Sequence, residues 1–191
     1  MRLWYMGAGI LPCAIYKGKL YFLFGKENQF EDSAKGFSDF GGGTDGKETF
    51  LETAVREGSE ELTGFLGTEK ELKQMVTKKG TYNVDYNNTY RTHIFPLEYD
   101  DALPFYYNNN QRFLQKRLDP KVYKESKIFE KAEIRWICID DLRRSRNIFR
   151  NFYRNIIDKI VQEKSEIYAF LSSKQKKNKN VKMNKTKKNK K

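Results

Sequence analysis

The chain has little cysteine, little histidine and no long hydrophobic run. Its 191 residues include two cysteines, Cys13 and Cys138, and one histidine, His93. Two cysteines within predicted strands are typical of small buried side chains in a reducing compartment, and they argue against a disulfide framework. No apolar run approaches the ~20 residues that span a membrane, and the N-terminus lacks a signal-peptide pattern. We therefore expect a soluble, intracellular protein with no membrane partner.

Acidic residues are missing from the C-terminal end, which divides the chain into two parts. Residues 174–191 contain ten lysines and no acid, so they hold ten of the twelve net positive charges. A Lys/Asn-rich segment cannot form a core, so we predict a domain over residues 1–173 and a disordered basic tail over residues 174–191. The tail is expected to attract RNA or DNA through their phosphates. A solubilising tail, a localisation signal or codon bias is the alternative.

The pattern of apolar residues before the tail predicts one α/β domain. An aromatic content of 15% supplies bulky side chains for a core. A helical apolar pattern predicts a last helix over 147–171, and the segment 100–125 is expected to be a lid or specificity insert. Apolar runs bounded by turn residues predict strands over 6–16, 19–25, 75–84, 89–99 and 135–139.

The segment from Gly42 to Gly64 carries the clearest chemical signal. A glycine turn leads to Thr49, and Glu52 follows three residues later. This pair is a capping box, which predicts the start of a helix. Plotted at about 100° per residue, the helix has an apolar face with Gly58 at its centre.

Three carboxylates share a neighbouring side of this helix: Glu57, Glu60 and Glu61. Close carboxylates repel each other, and a bound cation is the simplest reason to keep them. Oxygen ligands without nearby His or Cys suit Mg²⁺ or Mn²⁺. Arg56 lies four residues before Glu60 and is placed to orient it. The alternative is a solvated acidic face on which Arg56 makes an ordinary surface ion pair.

The same segment resembles the Nudix box, whose pattern is G-x5-E-x7-R-E-U-x-E-E-x-G-U, with U an aliphatic residue. The charged positions agree in identity and spacing, as Gly42-x5-Glu48-x7-Arg56-Glu57-x2-Glu60-Glu61. Two positions depart from the pattern: Gly58 replaces an aliphatic residue, and Thr63-Gly64 replaces the final Gly-aliphatic pair. Gly58 is expected to let the helix approach the sheet closely.

The resemblance implies a Nudix-like α/β/α sandwich with a mixed sheet and a Mg²⁺- or Mn²⁺-dependent hydrolase of phosphoric anhydrides. It implies that Glu57, Glu60 and Glu61 bind metal, with Glu57 and Glu61 counted as catalytic. It further implies that three residues orient them: Gly42, Glu48 and Arg56.

Nudix enzymes commonly take a base or a further ligand from outside the box. The order Glu130-Lys-Ala-Glu133-Ile-Arg-Trp136 is similar to the segment that supplies it, in decapping members among others. We therefore favour Glu130 or Glu133 as an additional catalytic residue, with Glu98 behind them. An ordinary surface carboxylate is the alternative for each.

The substrate is left open by these residues. We expect a nucleoside-diphosphate-linked substrate, with capped RNA as the leading candidate. The Lys/Asn bias and the segment Ser38–Gly42 are similar to Nudix proteins of large DNA viruses, several of which act on caps; such a protein would work in the host cytoplasm. A diphosphoinositol or dinucleoside polyphosphate hydrolase and a catalytically inactive nucleic-acid-binding module are the other hypotheses.

Aromatic and basic residues supply candidate substrate contacts. Tyr82, Tyr86 and Tyr90 are placed to stack on a base, and Arg143 and Arg144 to meet phosphates. A second aromatic, amide-rich segment covers 105–113. Core packing is the alternative role for the aromatic residues, and an ordinary basic surface is the alternative for the arginines.

Overall fold

A mixed β-sheet forms the centre of the fold, which the computed structural model describes over residues 6–28, 35–125 and 130–175. β1 (Gly7–Tyr16) and β2 (Lys19–Glu27) form an antiparallel hairpin. Lys17 and Gly18 make its turn with φ of 49° and 75°, the backbone geometry of a two-residue hairpin loop. The hairpin confirms the first two predicted strands.

The other strands extend the sheet on both sides of this hairpin. β6 (Tyr90–Pro96) pairs parallel with β1, and β5 (Tyr82–Tyr86) pairs antiparallel with β6. β7 (Lys131–Cys138) runs antiparallel to β2 along its other edge. The short strands β3 (Phe37–Ser38) and β4 (Phe40–Gly43) pair with β2 and β1 in turn. The parallel β1–β6 pair among antiparallel ones makes the sheet mixed, as predicted.

Helices cover both faces of the sheet and separate two apolar cores. Successive strand residues point to opposite faces, so Ile10 belongs to one core and Leu11 to the other. The helices on the Ile10 side are α1 (Phe50–Glu61), α2 (Glu69–Lys79) and α3 (Ala102–Arg117). Those on the Leu11 side are α5 (Ile139–Leu142), α6 (Tyr153–Gln162) and α7 (residues 164–175). This arrangement confirms the α/β/α sandwich.

Helix α1 begins where the capping box predicts. Thr49 Oγ1 accepts from Glu52 N at 3.3 Å, and Glu52 Oε2 accepts from Thr49 N at 3.1 Å. The helix then crosses β1 closely at Gly58, where a Cβ atom would lie 2.4 Å from Cδ1 of the fully buried Ile10. An aliphatic residue at this position would force Ile10 or the helix to move. The departure from the Nudix pattern therefore has a packing cause.

One predicted strand is wrong. The apolar pattern predicts a strand over 75–84, but α2 occupies Glu69–Lys79 and β5 begins only at Tyr82. A second capping box, in which Thr68 pairs with Glu71, starts α2, and Gly80 with φ of 73° ends it. Local capping therefore outweighs the apolar pattern that favoured a strand.

The C-terminal part of the chain is more divided than predicted. The expected helix over 147–171 is a 3₁₀ turn (Arg146–Ile148) followed by α6 and α7. The insert 100–125 is largely helical, as α3 and α4 (Pro120–Glu125). Helix α7 includes residues 174 and 175 of the predicted tail, and residues 176–191 lie outside the described residues. None of the described helices is long and apolar enough to cross a membrane.

Candidate metal and active site

Three carboxylates from two parts of the chain meet beside α1. Glu57 and Glu61 lie one turn apart on this helix, and Glu130 lies directly before β7. Each offers an oxygen atom within 4.8 Å of the other two. We call these three residues the acidic cluster. It joins two glutamates of the box with one of the two favoured glutamates outside it.

The structure does not bring Glu60, Glu133 or Glu98 into this cluster. The side chain of Glu60 is 56% exposed, and its Oε2 lies 3.7 Å from Nη1 of Arg56. Glu133 accepts a hydrogen bond from Nε of its neighbour Arg135 at 3.0 Å. Glu98 is exposed after the end of β6. Of the candidates outside the box, only Glu130 is placed to share a cation with α1.

Arg56 ties the acidic cluster to the loop before α1. It makes a bidentate contact with Glu48, from Nε to Oε1 at 2.8 Å and from Nη2 to Oε2 at 3.0 Å. Its Nη1 donates to Glu57 Oε1 at 2.8 Å and its Nη2 to the Gly43 carbonyl at 3.0 Å. The hydrogen bond from Arg56 lowers the pKa of Glu48 to about 2. Arg56 thus joins Glu48, Gly43 and Glu57 in one hydrogen-bonded group.

Strand β4 forms the opposite wall of the cluster. The Gly41 amide donates to Glu61 Oε2 at 2.9 Å. At Gly42 a Cβ atom would lie 2.5 Å from the Glu57 carboxyl carbon. A side chain at this position would therefore displace a member of the cluster, which explains the glycine at the start of the box.

A buried lysine, Lys131, contacts the acidic cluster at Glu61. The sequence patterns do not identify this residue. Lys131 is fully buried, and its Nζ lies 3.0 Å from Glu61 Oε1 and also pairs with Glu27. Glu27 Oε1 also accepts from Arg150 Nη1 at 2.8 Å. Burial lowers the pKa of Lys131, but Glu61 and Glu27 outweigh burial and raise it. Lys131 is therefore a charged ammonium group that balances two buried carboxylates.

The pKa of Glu61 shows that this balance is incomplete. Burial raises the pKa of this carboxyl well above its ordinary value, and Lys131 opposes the shift. Tyr107 of α3 fixes the backbone here, since its hydroxyl donates to the Glu61 carbonyl at 2.8 Å. An additional cation would offset the cost of burying the charged form of Glu61.

A second buried carboxylate lies beneath β4. Asp39 is fully buried and accepts from Tyr90 Oη at 2.8 Å and from Thr92 Oγ1 at 2.7 Å. Burial raises the pKa of Asp39 to about 6, although both hydrogen bonds oppose the shift. Its position is set by the pairing of β4 with β1 and of β1 with β6, so no local pattern identifies it.

A cavity of about 310 Å³ opens beside the acidic cluster. Gly41 and Gly42, which contact Glu61 and Glu57, form one side of it. Its other lining residues include Tyr86, Tyr90, Arg150 and Phe152. Two of the three predicted stacking residues, Tyr86 and Tyr90, therefore line a cavity that shares Gly41 and Gly42 with the wall of the acidic cluster.

The remaining predicted contacts lie elsewhere. The Tyr82 hydroxyl donates to Glu163 Oε2 at 2.9 Å, and its ring packs 6.2 Å from Phe170, next to α6 and α7. Arg144 pairs with Asp141 and lines a separate cavity of about 410 Å³ with Trp136. Arg143 is exposed next to it. These residues do not line the cavity beside the acidic cluster.

The acidic cluster has the chemistry of a site for a hard divalent cation. Its donors are all carboxylate oxygens, which suit Mg²⁺ and Mn²⁺. Glu61 is held on two sides by Gly41 N and Lys131 Nζ, and Glu57 is held by Arg56. These fixed side chains fit such an ion because little reorganisation is needed to bind it.

Solved structures of Nudix hydrolases share this architecture. A Nudix hydrolase from M. smegmatis, RenU, is similar over 86% of this chain and 88% of its own, with 15% identity and a TM-score of 0.51. This likeness shows the fold. A C. elegans Ap4A hydrolase matches over 88% of this chain and 98% of its own, with 14% identity and a TM-score of 0.44.

A bifunctional NMN adenylyltransferase/ADP ribose pyrophosphatase from Francisella tularensis matches over 83% of this chain and 41% of its own. Its identity is 14% and its TM-score 0.47. No protein-family model and no curated protein sequence matches the chain. The likeness to RenU shows that the chain has the Nudix fold, and it shows nothing about the chemistry of the site.

Proposed function

We propose that the protein is a hydrolase that cleaves a diphosphate linkage with the help of Mg²⁺ or Mn²⁺. The observation that carries this proposal is the acidic cluster, in which Glu57, Glu61 and Glu130 offer oxygens within 4.8 Å of one another. A domain that only binds nucleic acid has no need for three such carboxylates, which would repel its ligand. This contrast favours the enzyme over the catalytically inactive binding module.

The residues of the chain divide the work at this site. Glu57, Glu61 and Glu130 would hold the cation, which supplies charge neutralisation of phosphate oxygens and activation of a water. Arg56, through Glu48, holds Glu57 in place. Glu130 is our candidate for the general base as well. Glu60 stays a predicted ligand and Glu133 a predicted alternative base.

Arg150 is the residue that we assign to the phosphate chain. It lines the cavity beside the acidic cluster, and its Nη1 donates to Glu27 at 2.8 Å. Its Nε is buried and has no hydrogen-bond partner within the described part of the chain. A buried donor without an acceptor costs free energy, and a phosphate oxygen would satisfy it.

The cavity favours a substrate that carries a base. Tyr86, Tyr90 and Phe152 give it aromatic walls on which a nucleobase can stack. We therefore propose a nucleoside-diphosphate-linked substrate, and capped RNA is the leading candidate because the lysine-rich residues 174–191 would attract the RNA body. Dinucleoside polyphosphates fit the same chemistry. Diphosphoinositol phosphates have no base to use these walls.

The test is release of product from a panel of substrates with and without Mg²⁺ or Mn²⁺. The panel contains capped RNA, diadenosine polyphosphates, ADP-ribose and diphosphoinositol phosphates. We expect metal-dependent turnover of a base-containing member, and a loss of about 100-fold or more in Glu61→Gln. Glu69→Gln, an exposed acid at the start of α2, is the control and should keep full activity. Turnover that survives Glu61→Gln would contradict the metal assignment.

A further inference from the structure

Helix α3 exposes three aromatic rings on one side. Phe105, Tyr106 and Phe113 are 61%, 63% and 59% exposed. At about 100° per residue their side chains fall within one sector of the helix, on its solvent side. The Phe105 and Tyr106 rings are 5.2 Å apart, and the Arg117 guanidinium lies 5.9 Å from the Phe113 ring. Single exposed aromatic residues are ordinary, but three on one side of a helix indicate an interaction surface.

The opposite side of α3 is fixed to the domain. The Tyr107 hydroxyl donates to the Glu61 carbonyl at 2.8 Å. Asn108 pairs with the backbone of Ile134 on β7, as its Nδ2 donates to the carbonyl at 3.0 Å and its Oδ1 accepts from the amide at 2.8 Å. Rotating α3 to bury its outer rings would break these contacts. The exposed rings are therefore presented from a fixed support.

The charge of α3 indicates what kind of partner fits. Its 16 residues, ALPFYYNNNQRFLQKR, contain no acid. Exposed on the solvent side are the cations Arg112, Lys116 and Arg117 and the amides Asn109 and Asn110. Cations bind phosphates, amides bind phosphates and base edges, and flat rings stack on bases. A purely apolar protein partner would make no use of the cations.

We propose that the solvent side of α3, formed by Phe105, Tyr106, Phe113, Lys116 and Arg117, binds single-stranded nucleic acid. We call these residues the α3 platform. Phe105 and Phe113 are eight positions apart, which is about 12 Å along the helix axis, so the two ends of the platform can contact two different bases of one strand. The proposal is independent of the hydrolase activity, because none of its residues belongs to the acidic cluster.

The test is fluorescence anisotropy of the full chain with a short labelled oligonucleotide in EDTA, which removes any contribution from metal or turnover. RNA, DNA, duplex and an abasic strand of equal charge are compared. We expect Phe105→Ala and Phe113→Ala each to weaken single-strand binding at least about fivefold, the lower bound for loss of one stacked base. Tyr168→Ala, an aromatic residue 38% exposed outside α3, is the matched control and should bind as the unchanged protein does.

Charge is tested separately from stacking. Replacing Lys116 and Arg117 by Gln should reduce the slope of log affinity against log salt by up to about 1.4, since two phosphate contacts are lost. The abasic strand should bind Phe105→Ala and the unchanged protein equally well. A preference for RNA over DNA would assign the platform to RNA, and equal affinity would assign it to single strands of either kind; both outcomes support the proposal.

Three results would overturn it. The first is single-strand affinity that Phe105→Ala and Phe113→Ala leave unchanged. The second is an equal loss on the abasic strand or on duplex, which would exclude base stacking. The third is self-association of the unchanged protein in sedimentation that Phe105→Ala abolishes while nucleic-acid affinity stays the same. That result would assign the platform to contact with a second copy of the chain.

Discussion

Replacing Lys131 by Met tests the charge balance behind the acidic cluster. Met has a similar length and removes only the ammonium group. In the unchanged protein Lys131 Nζ lies 3.0 Å from Glu61 Oε1 and also pairs with Glu27, with no exposure of the lysine side chain. Removing one partner of a buried ion pair costs about 3–5 kcal/mol, because the remaining charge is left without compensation.

The contacts that remain in Lys131→Met place the expected loss of unfolding free energy at the lower end of that range. Glu27 retains Arg150, whose Nη1 is 2.8 Å from its carboxylate. Glu61 retains the Gly41 amide, which donates to its carboxylate at 2.9 Å but carries no full charge, so most of the cost arises at Glu61. We expect Lys131→Met to lower the free energy of unfolding by about 3 kcal/mol in EDTA at neutral pH. For a chain of this size this corresponds to a fall of roughly 6–12 °C in Tm.

Divalent metal should reduce the difference in unfolding free energy between Lys131→Met and the unchanged protein. A cation bound at Glu61 replaces the missing ammonium group, and at a concentration 100 times its Kd it adds about 2.7 kcal/mol. Without Lys131 competing for the carboxylate, the variant should bind Mg²⁺ or Mn²⁺ more tightly than the unchanged protein. The assay is urea unfolding followed by circular dichroism, in EDTA and over a metal titration.

The matched control is Lys73→Met. Lys73 pairs with Glu52 at 3.4 Å, but both side chains are about half exposed, at 51% and 46%. Exposed pairs contribute less than about 1 kcal/mol, so stability should change little and show no dependence on metal. A Lys131→Met protein within about 1 kcal/mol of the unchanged one in EDTA would refute the argument. A difference in unfolding free energy that grows as metal is added would also refute it.

Three further predictions follow from the site. Glu130→Gln should lower kcat/KM by about 10²–10⁴-fold, whereas Glu133→Gln should have little effect; the reverse order in steady-state kinetics would move the base to Glu133. Gly42→Ala should lower kcat/KM by about 100-fold, because its Cβ would lie 2.5 Å from the Glu57 carboxyl carbon and shift this metal ligand. Metal affinity that calorimetry finds unaltered in this variant would argue against a shifted ligand. Burial raises the pKa of Asp39 from 3.8 to about 6 and lowers that of His93 from 6.5 to about 4. Ionisation of Asp39 therefore lowers the free energy of unfolding by roughly 3 kcal/mol as pH rises from about 4 to 6. Protonation of His93 lowers it by a similar amount as pH falls from about 6.5 to 4. Asp39→Asn should make unfolding free energy rise with pH across this window and His93→Gln should make it fall; flat profiles for both would exclude these shifts.

Local patterns predicted the parts of the fold that depend on neighbouring residues. Three such features are the capping box at Thr49, the β1–β2 hairpin turn, and the side of α1 that Glu57 and Glu61 share. Each depends on residues no more than four positions apart. The capping box at Thr68 is the same kind of local signal, and it starts a helix that covers part of the strand wrongly predicted over 75–84. The sequence predicts such features because the residues that form them are near neighbours in the chain.

Long-range pairing decided the rest of the site. The choice of Glu130 over Glu133 as third member of the acidic cluster depends on how β7 pairs with β2. Lys131 meets Glu27 across 104 residues, and Arg150 meets the same carboxylate across 123. No periodicity in the sequence predicts such a contact, because the register of the sheet brings the two residues together.

The sequence by itself thus determined the Nudix-like helix, its acid spacing and the class of cation that suits it. Tertiary structure alone decided which glutamate completes the cluster, which buried cations balance it and which aromatic residues face the cavity. The physical reason is the range of the interactions. Helix capping and helical periodicity act between near neighbours, whereas a buried charge network exists only after strands from distant parts of the chain have paired.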